Sequence, residues 1–398
     1  MSISAQRYGS SLSAITLSSP RLILDKTSTM TDTREQIQTR VHEELAACSD
    51  FKASELQPLT GGTGNFIFRA TLSTALPDGT SQVVVKHGEG YVASNPNFPL
   101  STSRCIIEVE CLRELSSMAP LVSSLFAVAT PKILHFNPDT NTQIQEYFPS
   151  YINLKEYALG YYKAPTPTSA KPQCLKLGVA IGKWLRQFHT WGNEPTNQSF
   201  RDSLQNNGAM QQLKNYINYK MLVDMVDQHP DILGDAKEVF QKIYEQTLEE
   251  LKDESSLVPI HGDFWTGNVL LPNKPIEDGT QTQVAIIDWE LAQLGIKPLD
   301  VGQMVAELWQ LSLYRKIDAG TWIIQGLAQG YGVVDVDFIF RTLIHVGAHL
   351  ICFGSRTPNW GTAEQNKDLV RVGKDVILKA WSKERSAFAG HDLELLFP

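Results

Sequence analysis

Residues 258–290, VPIHGDFWTGNVLLPNKPIEDGTQTQVAIIDWE, constrain this chain more than any other stretch. Beyond about Tyr151 the sequence is otherwise a run of helical patterns: GVAIGKWLRQFH, AKEVFQKIYEQTLEELKD, MVAELWQLSLYRK, FIFRTLIHVGAHLICF and QNKDLVRVGKDVILKAW all carry apolar residues at three- and four-residue steps. The inset breaks that period. It predicts a loop, a strand, a polar turn and a second strand set between helices. Its polar signatures, HGDFWTGN and DWE, flank the two strands.

The first part of the chain reads differently. Thr33 to Ala47 predicts a helix with Ile37, Val41 and Leu45 on one face. PLTGGTGNFIFRATL and SQVVVKHG, separated by a turn at Pro77, Asp78 and Gly79, predict strand, glycine-rich loop, strand, turn, strand. Gly88 to Ser103, with Pro96 and Pro99, reads as a loop, and RCIIEVECLREL as a helix. PKILHFNPDTNTQIQEYFPS predicts two more strands around Asn137-Pro138-Asp139. The expected layout is a flexible polar extension over 1–32, a small β-rich lobe over 33–149 and a mainly helical lobe over 150–398. The extension's Ser- and Thr-rich, acid-poor makeup weakly resembles a transit peptide, but its apolar residues form no stripe, and Met30 is an alternative start. A chain of 398 residues exceeds what one core usually organises, so two lobes are the expected economy, and two lobes invite a cleft.

Composition removes several function classes. With 35 basic against 43 acidic residues the net charge is −8, and no block of Lys and Arg interleaves with aromatics, so a nucleic-acid partner is not expected. No uninterrupted apolar run reaches the length of a membrane span. Cys48, Cys105, Cys111, Cys174 and Cys352 are odd in number and never at metal-ligand spacing, which predicts reduced thiols and a cytoplasmic protein.

The polar signatures suit phosphoryl transfer, which needs a carboxylate to orient the attacking hydroxyl, magnesium to bridge phosphate oxygens, and cations to spread charge. In HGDFWTGN, Asp263 and Asn268 have the spacing of a kinase catalytic loop, HRDxxxxN. In IIDWE, alternation along a strand puts Asp288 and Glu290 on one side, where hard oxygen ligands suit magnesium. Lys86 closes the apolar strand VVVK, and Glu108 shares a helix face with Cys105, Leu112 and Leu115. A carboxylate inside an apolar stripe needs a partner, so Lys86 with Glu108 is the expected ion pair, with Glu110 as the fallback acid. The glycine loop, with Gly62, Gly64 and Asn65, would cover phosphates with free amides. His261 is expected to bond backbone around its loop. His189 and His349 lie on apolar helical faces as core or cleft-lining groups, the former favoured. Trp265, Trp289, Phe353 and Trp360 either cradle a flat or cationic acceptor or pack in the core.

Taken in order, GGTGNFIF, VVVK, IEVECLREL, HGDFWTGNVLL and IIDWELAQLGIKPLD resemble the motif set of the aminoglycoside phosphotransferase and choline kinase superfamily. The form DWE is closest to the 5-methylthioribose kinase-like branch, which includes fungal 4-hydroxytryptamine kinase. The resemblance implies an α+β, bilobal, protein-kinase-like fold: a five-stranded antiparallel N-lobe sheet with one helix, and a larger helical C-lobe. It implies ATP beneath that sheet, with adenine against the connector at Gln145 to Phe148, which includes Glu146. It also implies Asp263 as the catalytic carboxylate, Asn268 and Asp288 as Mg2+ ligands joined by Glu290, and Lys86 as the phosphate cation.

The expected activity is ATP- and Mg-dependent phosphorylation of a small-molecule hydroxyl by a monomer or homodimer. The acceptor classes are a hydroxylated amine such as a 4-hydroxytryptamine-like indole, an amino-alcohol, or a sugar such as methylthioribose. The alternative is a nucleotide-binding pseudokinase that regulates a partner. A protein kinase fits less well, because GIKPLD and a helix follow Asp288 almost at once and no APE segment is present.

Overall fold

A computed structural model of the chain describes residues 32–397. The expected polar extension therefore lies, apart from Asp32, outside the described residues. In chain order the first elements are α1 (Arg34–Ala47), β1 (Ala53–Pro58), β2 (Phe66–Leu72), β3 (Gln82–His87), β4 (Tyr91–Val92), β5 (Asn95–Pro99) and α2 (Ser103–Leu115). Strands β6 (Leu121–Ser123), β7 (Phe126–Ala129), β8 (Ile133–Asn137), β9 (Thr142–Glu146) and β10 (Tyr151–Asn153) follow. The described residues up to Val109, with Lys132–Tyr147, form one compact unit; Glu110–Pro131 and the residues from Phe148 onward form the other.

The first unit is built on an antiparallel sheet in the order β1-β2-β3-β9-β8. Phe66, Phe68, Ala70 and Leu72 alternate along β2 and join Val83, Val85 and Ile144 in a core that takes in Ile37, Val41 and Leu45 of α1. A capping box starts α1: Gln36 N donates to Thr33 Oγ1 (3.2 Å) and Thr33 N to Gln36 Oε1 (2.7 Å). Because Val85 pairs with Ile144 on the core face, alternation turns the next pair, Lys86 and Gln143, to the opposite face. Residues 88–103 depart from the expected loop, since β4 and β5 form a short ribbon there. Its turn amides, Ala93 N and Ser94 N, donate to the carbonyls of Gly64 (3.3 Å) and Thr63 (3.1 Å). The prolines hid this ribbon, because a two-residue strand facing Pro96 and Pro99 has almost no strand signature.

In the second unit the chain continues through α3 (Leu154–Tyr161), α4 (Lys171–Trp191), α5 (Gln198–Gln205), α6 (Gly208–Asn215), a π-helical turn at Tyr216–Lys220, α7 (Met221–Gln228), α8 (Pro230–Leu233) and α9 (Lys237–Glu250). The inset supplies β12 (Val269–Pro272) and β13 (Thr282–Ile286), and its first residues, expected as loop, form β11 (Val258–Ile260), which pairs with β14 (Gln293–Gly295) just beyond it. Helices α10 (Pro298–Arg315), α11 (Ala319–Tyr331), α12 (Val336–Cys352) and α13 (Ala363–Trp381) complete it. A second sheet runs β10-β12-β13-β7-β6, and β7 pairs in parallel with β13, which draws 110–131, expected within the first lobe, into this unit.

Helices α4 and α11 meet through glycine. A Cβ on Gly178 would stand 2.1 Å from the Ile323 carbonyl oxygen, and one on Gly326 2.2 Å from that of Leu175. The run Val336–Arg356 is long and apolar enough to cross a membrane by composition, yet 78% of its most apolar window is buried within the protein.

Candidate active site

The loop after β11 is set by Gly262 and Asp300. Gly262 adopts φ +76°, and a Cβ there would lie 2.1 Å from the Leu291 carbonyl oxygen, so no larger residue fits. Asp300, buried in the first turn of α10, accepts from His261 N (2.8 Å), Gly262 N (3.0 Å) and His189 Nε2 (3.0 Å). Burial alone would raise the Asp300 carboxyl, but the hydrogen bond and charge of His189 and the His261 side of the loop hold it below the usual range. Burial in turn pulls His189 below its usual value against the opposing effect of Asp300. The Tyr331 hydroxyl lies 2.9 Å from His189 Nδ1, so His189 is a core group tying α4 to α10 and α11. His261 has the role expected of it. Its Nε2 donates to the Ile287 carbonyl (3.0 Å) and its Nδ1 accepts from Asp263 N (3.2 Å).

Asp263 is thereby aimed, and its side chain remains 24% exposed. Its Oδ1 accepts from Gln303 Nε2 (2.8 Å) and Lys214 Nζ (3.2 Å), while Lys214 Nζ also donates to Gln303 Oε1 (2.7 Å). Asn268 Nδ2 donates to the Asp263 carbonyl (2.9 Å) and to its Oδ2 (3.2 Å). A carboxylate held in this way can receive a hydroxyl hydrogen on its remaining lone pair.

Asn268 and Asp288 are brought side by side by strand pairing: Val269 faces Ile286, and Ile287 N donates to the Asn268 carbonyl (3.0 Å). The expected strand geometry of DWE is corrected here. Strand β13 stops at Ile286, Asp288 turns into the left-handed region at φ +70°, and Trp289 packs into the core against Phe188 and Trp184. The chain has thus left the strand before DWE, and alternation does not place Asp288 and Glu290 on one side. The Glu290 carbonyl accepts from Asn207 Nδ2 (3.0 Å). Among the described residues no three His, Cys, Asp or Glu side chains gather as a metal cluster. The donor types carried by Asn268 and the DWE segment, an amide oxygen and two carboxylates, are hard ligands of the sort magnesium takes alongside phosphate and water.

In the first unit Lys86 Nζ donates to Glu108 Oε1 at 2.6 Å, with the two side chains 6% and 0% exposed. Gln143 Nε2 donates to Glu108 Oε2 (2.6 Å) and Gln145 Nε2 to Oε1 (3.4 Å). The glycine loop is anchored by a residue the sequence did not single out. Buried Arg104 donates to the Gly64 carbonyl (3.2 Å) and Asn65 Oδ1 (2.9 Å). Gly62 lies against Ile67, where a Cβ would come within 2.4 Å of Cδ1. Glu146 Oε2 accepts from Lys132 N (3.1 Å). In the second unit, the Phe148 ring centre lies 5.2 Å from that of Tyr151.

The aromatic candidates separate. Trp289 is core. Phe353 stacks on His349 (5.0 Å), and Trp360 is buried with the cations of Lys155 (4.4 Å) and Arg315 (4.9 Å) over its ring. Half-exposed Trp265 has Lys155 5.8 Å from its ring centre. Lys155 donates to Glu307 (3.1 Å), whose other oxygen lies 2.8 Å from His349 Nε2. Burial would raise the Glu307 carboxyl, but Lys155 and His349 bring it down to about 2.

Lys214, Gln303, Glu307 and Asp300 were missed by sequence reading. Three of them had a signal. Asp300, Gln303, Glu307 and Gln310 recur at three- and four-residue steps and are all buried, a polar stripe on an otherwise apolar helix. Lys214 had none, because the groups that receive its ammonium, Asp263 and Gln303, lie far along the chain.

This combination of sheet, helical body and HGD loop belongs to a phosphotransferase. Residues 74–335 match the phosphotransferase enzyme family, and the chain is a member of it. It is 30% identical over 356 residues to phosphotransferase FrzJ from Cladobotryum sp, covering 86% of this chain and 92% of that one. It is 23% identical over 345 residues to 4-hydroxytryptamine kinase from Psilocybe cyanescens, covering 85% and 90%. Among solved structures, amicoumacin kinase hAmiN shares the fold with a TM-score of 0.50 at 12% identity, over 86% of this chain and 93% of that one.

Proposed function

We propose that the chain transfers the γ-phosphoryl group of ATP to a hydroxyl of a small-molecule amine, with Asp263 receiving the hydroxyl hydrogen. The observation that carries this reading is the state of Asp263: one oxygen is saturated by Lys214 and Gln303, and the other retains a lone pair on a partly exposed side chain. Asn268, Asp288 and Glu290 would hold Mg2+, which when bound spreads the charge of the phosphates. Lys86, fixed by Glu108, is the cation for the phosphates, and the loop holding Gly62, Gly64 and Asn65 covers them. Hydroxylated amines are favoured over sugars because a similar protein carries the name 4-hydroxytryptamine kinase. The odd number and scattered spacing of the five cysteines support work in the cytoplasm.

The test is ADP formation with Mg-ATP and a panel of hydroxylated indole-ethylamines, amino-alcohols and sugars. Acceptor-dependent ADP is expected for the wild type, with Asp263→Asn slower by about a thousandfold or more. ATP binding with no acceptor phosphorylated anywhere in a broad metabolite screen would sink the reading.

A further inference from the structure

We infer that Lys214 is a positioning residue which, together with Gln303, decides which oxygen of Asp263 meets the acceptor. The inference rests on the reading of Asp263 given above. Each carboxylate oxygen offers about two lone-pair directions. On Oδ1 both are taken, by Gln303 Nε2 at 2.8 Å and Lys214 Nζ at 3.2 Å. On Oδ2 only Asn268 Nδ2 donates, at 3.2 Å, which leaves one direction open. The acceptor hydrogen therefore passes to Oδ2. As it does so, the acceptor oxygen bonds to the γ-phosphorus and the bond from that phosphorus to the bridging oxygen breaks, releasing ADP.

The lysine is built for this place. Its side chain is 4% exposed, and a buried ammonium is stable only where anionic or polar oxygens receive it. Here the receiving atoms are Asp263 Oδ1 and Gln303 Oε1, so lysine, glutamine and aspartate close a three-membered ring of contacts. The backbone is adapted as well. Helix α6 gives way just after Lys214 to the π-helical turn Tyr216–Lys220, a rare feature that often marks functional positions. From that turn Asn218 Nδ2 donates to the Lys214 carbonyl (2.7 Å), fixing the residue from below. Gln303 arrives from α10, three residues after Asp300, so the helix that anchors the HGD backbone also anchors its carboxylate.

The test uses the full chain with Mg-ATP, following phosphoryl transfer to 4-hydroxytryptamine or, if that amine is not taken, the slower transfer to water. Lys214→Met is expected to lower kcat about a hundredfold with KM for ATP unchanged, because misplacing a reacting group by an ångström costs on that order. Lys214→Arg, which keeps the charge, should recover most of the loss, and Gln303→Leu should show the same kcat-only pattern to a smaller degree. If Lys214→Met does not fold, Gln303→Leu and Lys214→Arg carry the test. Wild-type kcat in Lys214→Met, or in Gln303→Leu where that variant decides, would overturn the proposal, as would a loss confined to KM. Asp263→Asn run alongside separates the two ideas: its inactivity beside an active Lys214→Met defeats the lysine's role alone, whereas full activity in Asp263→Asn defeats the reading of the site.

Discussion

Asp263 owes its orientation to buried neighbours. His261 and Asp300 shape the loop, and Asp300 does so as a buried carboxylate shared among three donors. Asp300→Ala should leave two loop amides without their acceptor and cost about 2–4 kcal/mol, read as a lower unfolding midpoint in urea. Glu307 carries a pH dependence whose sign follows from its partners. Its carboxyl, depressed to about 2 from an ordinary 4.5, adds stability that is fully present above about 4.5 and fades as pH falls toward 2. Thermal melts between pH 6 and pH 3 should fall more steeply for the wild type than for Glu307→Gln, and parallel curves would remove the ion pair's contribution. At Lys86 the structure adds a stability effect to the catalytic one. Lys86→Ala removes the Lys86 cation from beside the fully buried Glu108, so a loss of stability is expected beside the loss of turnover, softened by the amides of Gln143 and Gln145.

At the scale of elements, helices hold the site by close approach and by polar stripes. The α4–α11 contact places glycine against carbonyl on both sides, so a single methyl forces the helices apart. Gly178→Ala or Gly326→Ala should destabilise the protein by about 1–3 kcal/mol, measured by chemical denaturation, while Gly208→Ala, where nothing lies within 4 Å, should not. Helix α10 combines both devices, with apolar residues around it and Asp300, Gln303, Glu307 and Gln310 buried along one stripe. Periodicity alone marks α10 as a helix, but only the recurrence of polar residues at the same period shows which face serves the loop.

For the molecule as a whole, the sequence conveyed the parts that repeat a strong period or a dense motif. Strands β2, β3, β8 and β9 of the first sheet, α1, α2 and the helical body were legible from alternation and from three- and four-residue steps, whereas β1 lies at Ala53–Pro58, ahead of the strand expected from Pro58 onward. The Lys86–Glu108 pair was legible because an acid in an apolar stripe demands a cation. What escaped depends on contacts between distant segments: the parallel pairing of β7 with β13, the ribbon at 91–99 held to the glycine loop, the left-handed turn at Asp288, and Lys214 brought to Asp263 from 49 residues away. None of these leaves a local pattern. The direct measurement is transfer of labelled phosphate from Mg-ATP to a hydroxylated amine by the wild type, Asp263→Asn and Asp288→Ala, with ATP binding followed in parallel. Labelled acceptor from the wild type alone, with Asp263→Asn still binding ATP, is the expected result; equal labelling by Asp263→Asn would contradict the role given to its carboxylate.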